Sequence, residues 1–133
     1  MCKNDIFYFR QRQYLTHILT QSYLYFSKCF LLFYGDDEAL RRCYPHIKRY
    51  VDYVGRISRG HLTTWGRGDW VPVTVGSNKE LTSSTYYYVD TQILARAAKM
   101  FGYTSDYEKY SKLAQEIRQA INDKYLDREK GIY

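Results

Sequence analysis

Apolar residues recur at helical spacing over most of this 133-residue chain, and the clearest case is its last third. Tyr86, Ile93, Ala97 and Phe101 fall on one face, with Tyr87, Leu94 and Ala98 beside them. This predicts a helix opening at a Ser83 or Ser84 cap and running to about Phe101, before Gly102. Asp90 falls on the same apolar face, where a carboxylate needs a hydrogen-bond partner or a polar cavity. Ser105-Asp106-Tyr107-Glu108 has the form of a capping box. The helix it opens reaches about Lys124 and buries Tyr110, Leu113, Ala114, Ile117 and Ile121, with Glu108 and Lys112 as an i,i+4 pair. Gly102-Tyr103-Thr104 is too short to do more than reverse the chain, so the two helices form an antiparallel hairpin.

Upstream the pattern is more broken. Residues 1–14 carry no confident element. Leu15 to about Phe33 is apolar on most sides, as in a helix with several neighbours, and Gly35 stops it. Asp36 caps a new start, with Asp37 and Glu38 in its first turn, where the helix dipole favours negative charge. A break is expected at Tyr44-Pro45, because proline suits a first helical position and not an interior. A second helix then reaches about Arg56. Ile47, Tyr50, Val51 and Val54 line one face of it; Lys48, Arg49, Asp52 and Arg56 line the other. Residues 57–80 lose the helical period. They hold four of the eight glycines, both tryptophans and Pro72. A connection that long in a compact domain is functional or disordered, and Val71, Val73 and Val75 alternate as in a short extended piece. The order of elements reads as stacked αα-hairpins, an all-α fold.

Composition narrows the function classes. A hydrophobic content of 45% excludes general disorder, and two prolines with no Ser/Gly-rich stretch mark no domain boundary. Sixteen tyrosines suit helix interfaces and sugar clefts equally. The net charge is +6. The stretch from Arg41 to Arg67 holds seven Lys or Arg against Asp52, with Asp69 just after it. Such a stretch is either a solvated helix face or a surface for nucleic acid or an acidic partner. No nucleic-acid motif accompanies it, so nucleic acid is not favoured. Cys2, Cys29 and Cys43 form neither a disulfide framework nor a zinc site, and Cys29 and Cys43 sit in apolar helical contexts. His17, His46 and His61 lack metal-ligand spacing, so no metal or cofactor is expected. The most apolar run, Leu24 to Tyr34, is too short to span a membrane and contains Lys28. No signal peptide is evident, and the compartment is not encoded.

The chemistry-bearing candidate is the loop Gly66-Arg67-Gly68-Asp69-Trp70-Val71-Pro72-Val73. A carboxylate beside an indole suits a sugar ring: Asp69 accepts hydrogen bonds from hydroxyls, and the face of Trp70 packs on C–H groups. The alternative is a solvated Asp and a packing Trp. Trp65 and Arg67 are weaker candidates in the same stretch.

Several strings in order resemble a known family. They are Tyr34-Gly35-Asp36, Tyr44-Pro45, Tyr50-Val51-Asp52-Tyr53, Gly68-Asp69-Trp70-Val71-Pro72, Leu81-Thr82-Ser83-Ser84-Thr85-Tyr86-Tyr87-Tyr88 and Ala95-Arg96-Ala97-Ala98-Lys99-Met100-Phe101-Gly102. The stretch from Asp106 to Tyr110, Tyr125-Leu126 and Gly131-Ile132-Tyr133 continue the match. Together they resemble the catalytic domain of bacterial α-L-rhamnosidases, glycoside hydrolase family 78, over roughly residues 24–133, leaving 1–23 unassigned. The resemblance implies an incomplete (α/α)6 barrel, about two of its six hairpins. It implies an inverting hydrolase of terminal α-L-rhamnose, using a carboxylic acid and a carboxylate base roughly 6.5–9.5 Å apart. By that resemblance the acid segment precedes the matched region and the base Glu follows it. The chain is then a fragment, inactive by itself, and its exposed helix faces favour self-association. The family's Gly-Asp-Trp loop lines the sugar cleft, which assigns Asp69 and Trp70 to substrate binding. The reading from another class is a basic all-α binding module for nucleic acid or an acidic protein.

Overall fold

The computed structural model describes Gly35, residues 37–66 and residues 77–133. The described residues are all-α: three helices and two isolated bridges, with no strand. We label the helices α1 (Glu38–Ile57), α2 (Lys79–Met100) and α3 (Thr104–Tyr125). The chain divides into two compact units, Met1–Tyr50 and Val51–Tyr133.

Helix α1 runs unbroken through Pro45, contrary to the break expected there. Leu40, Tyr44, Ile47, Val51 and Val54 are all buried, so one apolar stripe continues across the proline. Pro45 itself lies on the exposed side, where water can replace the missing amide. Burial of that stripe outweighs an interior proline's cost of about 3 kcal/mol, since each buried aliphatic side chain contributes roughly 1.5–3 kcal/mol. Asp37 supplies the carbonyl that accepts the first helical bond, from Arg41 N at 2.8 Å. The cap expected at Asp36, the helix expected over Leu15–Phe33 and the Val71–Val75 alternation lie outside the described residues. Cys43 is a free thiol and only half-buried.

The hairpin of α2 and α3 forms as the periodicity predicts, the two helices packing against each other. Phe101 caps α2, and Gly102 follows at φ +76. Tyr103 N donates to Ala98 O at 2.8 Å and Gly102 N to Lys99 O at 3.2 Å, the paired bonds of a Schellman stop. At the other end of the hairpin, Glu80 of α2 accepts hydrogen bonds from Lys124 and Tyr125 of α3. Those bonds hold the Glu80 carboxyl below its ordinary range and raise Lys124. A link between the start of one helix and the end of the next requires antiparallel packing.

The caps differ from those expected. Asn78, not Ser83 or Ser84, opens α2: its side-chain oxygen accepts from Glu80 N at 3.0 Å and Leu81 N at 3.1 Å. Both serines lie inside the helix and are buried. The Ser105–Glu108 capping box does not form. Helix α3 starts at Thr104 from Tyr103, with no side-chain cap bond. Lys112 lies 3.9 Å from Glu116 rather than pairing with Glu108.

The two helices bury different arcs. On α3 the buried Tyr110, Ala114, Ile117 and Ile121 fall within about 60° at 100° per residue, with Leu113 half-buried at the margin. On α2 the buried positions, from Ile93 through Tyr87 to Ala95, span roughly 200°. Tyr86 is the exception on the face predicted for it. It is 45% exposed although Ile93 and Ala97 in the same sector are buried.

Candidate functional site

The two residues assigned to sugar binding, Asp69 and Trp70, lie outside the described residues, as does Arg67. What the structure defines is the frame on either side of their loop. Helix α1 ends at Ile57, where Ser58 Oγ donates back to Gly55 O at 2.8 Å. Arg59 and Leu62 then exchange backbone bonds of 2.8 and 3.1 Å around Gly60 and His61. Both central residues have positive φ, +57 and +64, which makes this a type I′ turn. His61 Nε2 stands 3.9 Å from Glu116 of α3.

Beyond the turn, Thr63 is anchored to α2. Its amide donates to Ser84 Oγ at 2.9 Å, and the same hydroxyl reaches Thr63 O at 3.3 Å. Thr63 Oγ1 in turn accepts from Trp65 N at 3.0 Å. The Trp65 ring meets Tyr53 of α1 edge-on, centroids 5.8 Å apart at 75°. Trp65, a weak candidate in sequence, is therefore a partly buried packing residue at the loop entrance. Asn78 fixes the loop's exit by capping α2. The Thr63–Ser84 anchor had no sequence signal: a Ser-Ser pair after a loop reads as a cap.

Polar groups also join α1 to α3. Tyr110 donates its hydroxyl to Asp52 Oδ1 at 2.9 Å, and Lys109 Nζ reaches the same oxygen at 2.8 Å. Burial and the Asp52 bond raise the Tyr110 hydroxyl above its ordinary range. Tyr87 is 2% exposed, and its hydroxyl has no partner among the described residues. Burial first, then the charges of Asp52 and Glu116, push it up to about 12. A Cβ at Gly55 would stand 3.0 Å from that hydroxyl, so Gly55 makes room for it. Tyr87→Phe should therefore stabilise the fold by about 1 kcal/mol, as an unmatched buried hydroxyl is removed with its ring kept. Chemical denaturation checks this, and a loss of stability would reveal a partner for the hydroxyl.

Asp90 is fully buried, and neither carboxylate oxygen has a partner among the described residues. Burial pushes its carboxyl up to about 7. The partner that its position on the apolar face seemed to require is not among the described residues. No group of three His, Cys, Asp or Glu among the described residues is placed to hold a metal ion. No described helix is long and apolar enough to cross a membrane.

Residues 16–133 match the bacterial alpha-L-rhamnosidase 6 hairpin glycosidase domain. The chain belongs to that family. An alpha-L-rhamnosidase of Streptomyces avermitilis is 29% identical over 94 residues, which is 70% of this chain and 9% of that protein. The structure of the α-L-rhamnosidase from Dictyoglumus thermophilum superposes with a TM-score of 0.75 at 33% identity, over 81% of this chain and 13% of that one. The Streptomyces avermitilis enzyme, crystallised with L-rhamnose, superposes at 0.65 with 27% identity, over 71% of this chain and 9% of that one. The chain thus spans about a tenth of the length of these relatives. The six-hairpin family accounts for described residues that are all-α, with α2 and α3 joined by a tight turn.

Proposed function

We propose that this chain supplies part of the saccharide-binding wall of an α-L-rhamnosidase-like glycoside hydrolase, acting on a rhamnose-containing glycan or glycoside. Asp69 and Trp70 are the binding residues in this reading, and proton transfer belongs to carboxylates elsewhere in the family's domain. The family match over residues 16–133 carries the proposal. The anchored loop entrance at Thr63 and the capped exit at Asn78 support it, because a binding loop needs a rigid frame. The basic stretch does not require a nucleic-acid partner. Arg41 pairs with Asp37 at 2.8 Å and Arg42 with Glu38 at 2.7 Å, so part of its charge is answered within one helix face.

Titration with L-rhamnose, followed by ligand-observed NMR, tests the reading. Asp69→Asn should weaken binding by roughly 1.5–3 kcal/mol, the range for a hydrogen bond to a charged group. Trp70→Ala should weaken it by removing the ring surface under the sugar. Well-folded variants with unchanged affinity and lowered melting temperature would leave both residues as loop structure only.

A further inference from the structure

Helix α2 packs on α3 through part of its circumference and leaves a second apolar stripe partly open. Thr82, Tyr86, Val89, Ile93, Arg96 and Met100 follow one another in alternating steps of four and three residues. At 100° per residue they fall within about 80° of arc. Ile93 is buried and Val89 half-buried, while Tyr86 and Met100, near the two ends, are each 45% exposed. Glu80, which reaches Lys124 and Tyr125 of α3, sits about 160° around the helix from the middle of this stripe, so α3 does not cover it. Apolar residues at alternating four- and three-residue spacing form the seam along which a second helix packs at a shallow crossing angle.

The charge around the stripe has one sign. Arg96 lies on it, exposed and in no ion pair among the described residues. Lys79 is exposed at the start of the same side. The helix has two acids, and neither serves this face: Glu80 bonds to α3, and Asp90 is buried. A second copy of the chain meeting this face would set cation against cation. A phosphate backbone would leave Tyr86, Val89 and Met100 with no apolar surface to meet.

We propose that the outer face of α2 is a docking surface for an acidic amphipathic helix. The apolar seam of that helix packs on Tyr86, Val89 and Met100, and its carboxylates face Arg96 and Lys79. The seam spacing sets the shape of the partner, and the unanswered positive charge sets its sign.

The test uses the full chain and a dye-labelled synthetic peptide of about three heptads, with leucine at a and d and glutamate at e and g, which its own charge keeps monomeric. Fluorescence anisotropy gives Kd. Met100 is one of two methionines in the chain, so its methyl resonance reports whether the peptide sits on the stripe. The peptide should shift that resonance and saturate, and the same peptide with lysine at e and g should bind about 10-fold more weakly. Tyr86→Ala and Met100→Ala should each raise Kd about 3- to 10-fold, as their exposed portions lose apolar contact. Arg96→Glu should raise Kd for the acidic peptide about 10-fold and lower it for the basic one, while Arg96→Lys binds like the parent. These side chains are exposed, so the variants keep the fold, which their melting temperatures verify. Equal affinity for the two peptides, or parent-like binding by Tyr86→Ala and Arg96→Glu, overturns the proposal. A Met100 shift that follows the concentration of the chain alone would assign the face to a second copy. One produced by anionic lipid vesicles and not by the peptide would assign it to a membrane surface, and either result also overturns the proposal.

Discussion

The melting temperature of this chain should fall as pH rises from 5 to 8, and Asp90→Asn should remove most of that fall. Asp90 is buried with no hydrogen-bond partner among the described residues, and its carboxyl rises from an ordinary 3.8 to about 7. The folded state therefore keeps a proton that the unfolded state gives up. Below about pH 4 both states hold the proton and nothing is lost. Between about 4 and 7 stability declines, and above 7 the deficit is constant at roughly 4 kcal/mol, from about 1.4 kcal/mol for each unit of pKa. About 3 kcal/mol of it falls between pH 5 and 8. Asparagine has nearly the same shape and no charge, so Asp90→Asn should gain about 2–4 kcal/mol at pH 8 and much less at pH 5. Denaturant melts of both proteins at the two pH values decide it. An equal slope with pH in parent and variant would show that other groups set the profile.

Ile117→Ala should cost about 2–5 kcal/mol, the range for truncating an aliphatic side chain in a packed core. Ile117 is fully buried within the narrow stripe that α3 presents. Leu113→Ala, one turn earlier at the margin of that stripe, should cost clearly less, because its side chain keeps part of its hydration in the folded state. Both positions read as core in the sequence, so the contrast separates periodicity from packing. Equal losses at the two sites in urea titrations would place the hairpin contact off the stripe.

Most of the all-α architecture was legible because helical period is a local property. The α2–α3 hairpin, its stop at Gly102 and the buried faces of α1 and α3 follow from residue spacing. A 3.6-residue repeat and a turn residue act within a few positions of the chain. Membership in the six-hairpin family was legible for a related reason: short strings in fixed order survive as a pattern. The assignment of Asp69 and Trp70 to sugar binding comes from that pattern.

What the sequence alone did not determine was settled by contacts between distant residues. Pro45 looked like a helix break because its cost is local, whereas the burial that outweighs it spans six positions of α1. Ser84 looked like a cap because capping is the common local use of serine; its partner is Thr63, far back in the chain. Asn78 took the cap of α2, and α3 begins at Thr104 with no side-chain cap, ahead of the Ser105–Glu108 box. Asp90 seemed to need a partner; none of the described residues supplies one, and burial on α2 raises its carboxyl. Local pattern determines which elements form and which face turns inward. Where an element starts, and which buried polar group is answered, depends on neighbours that only the folded chain brings together.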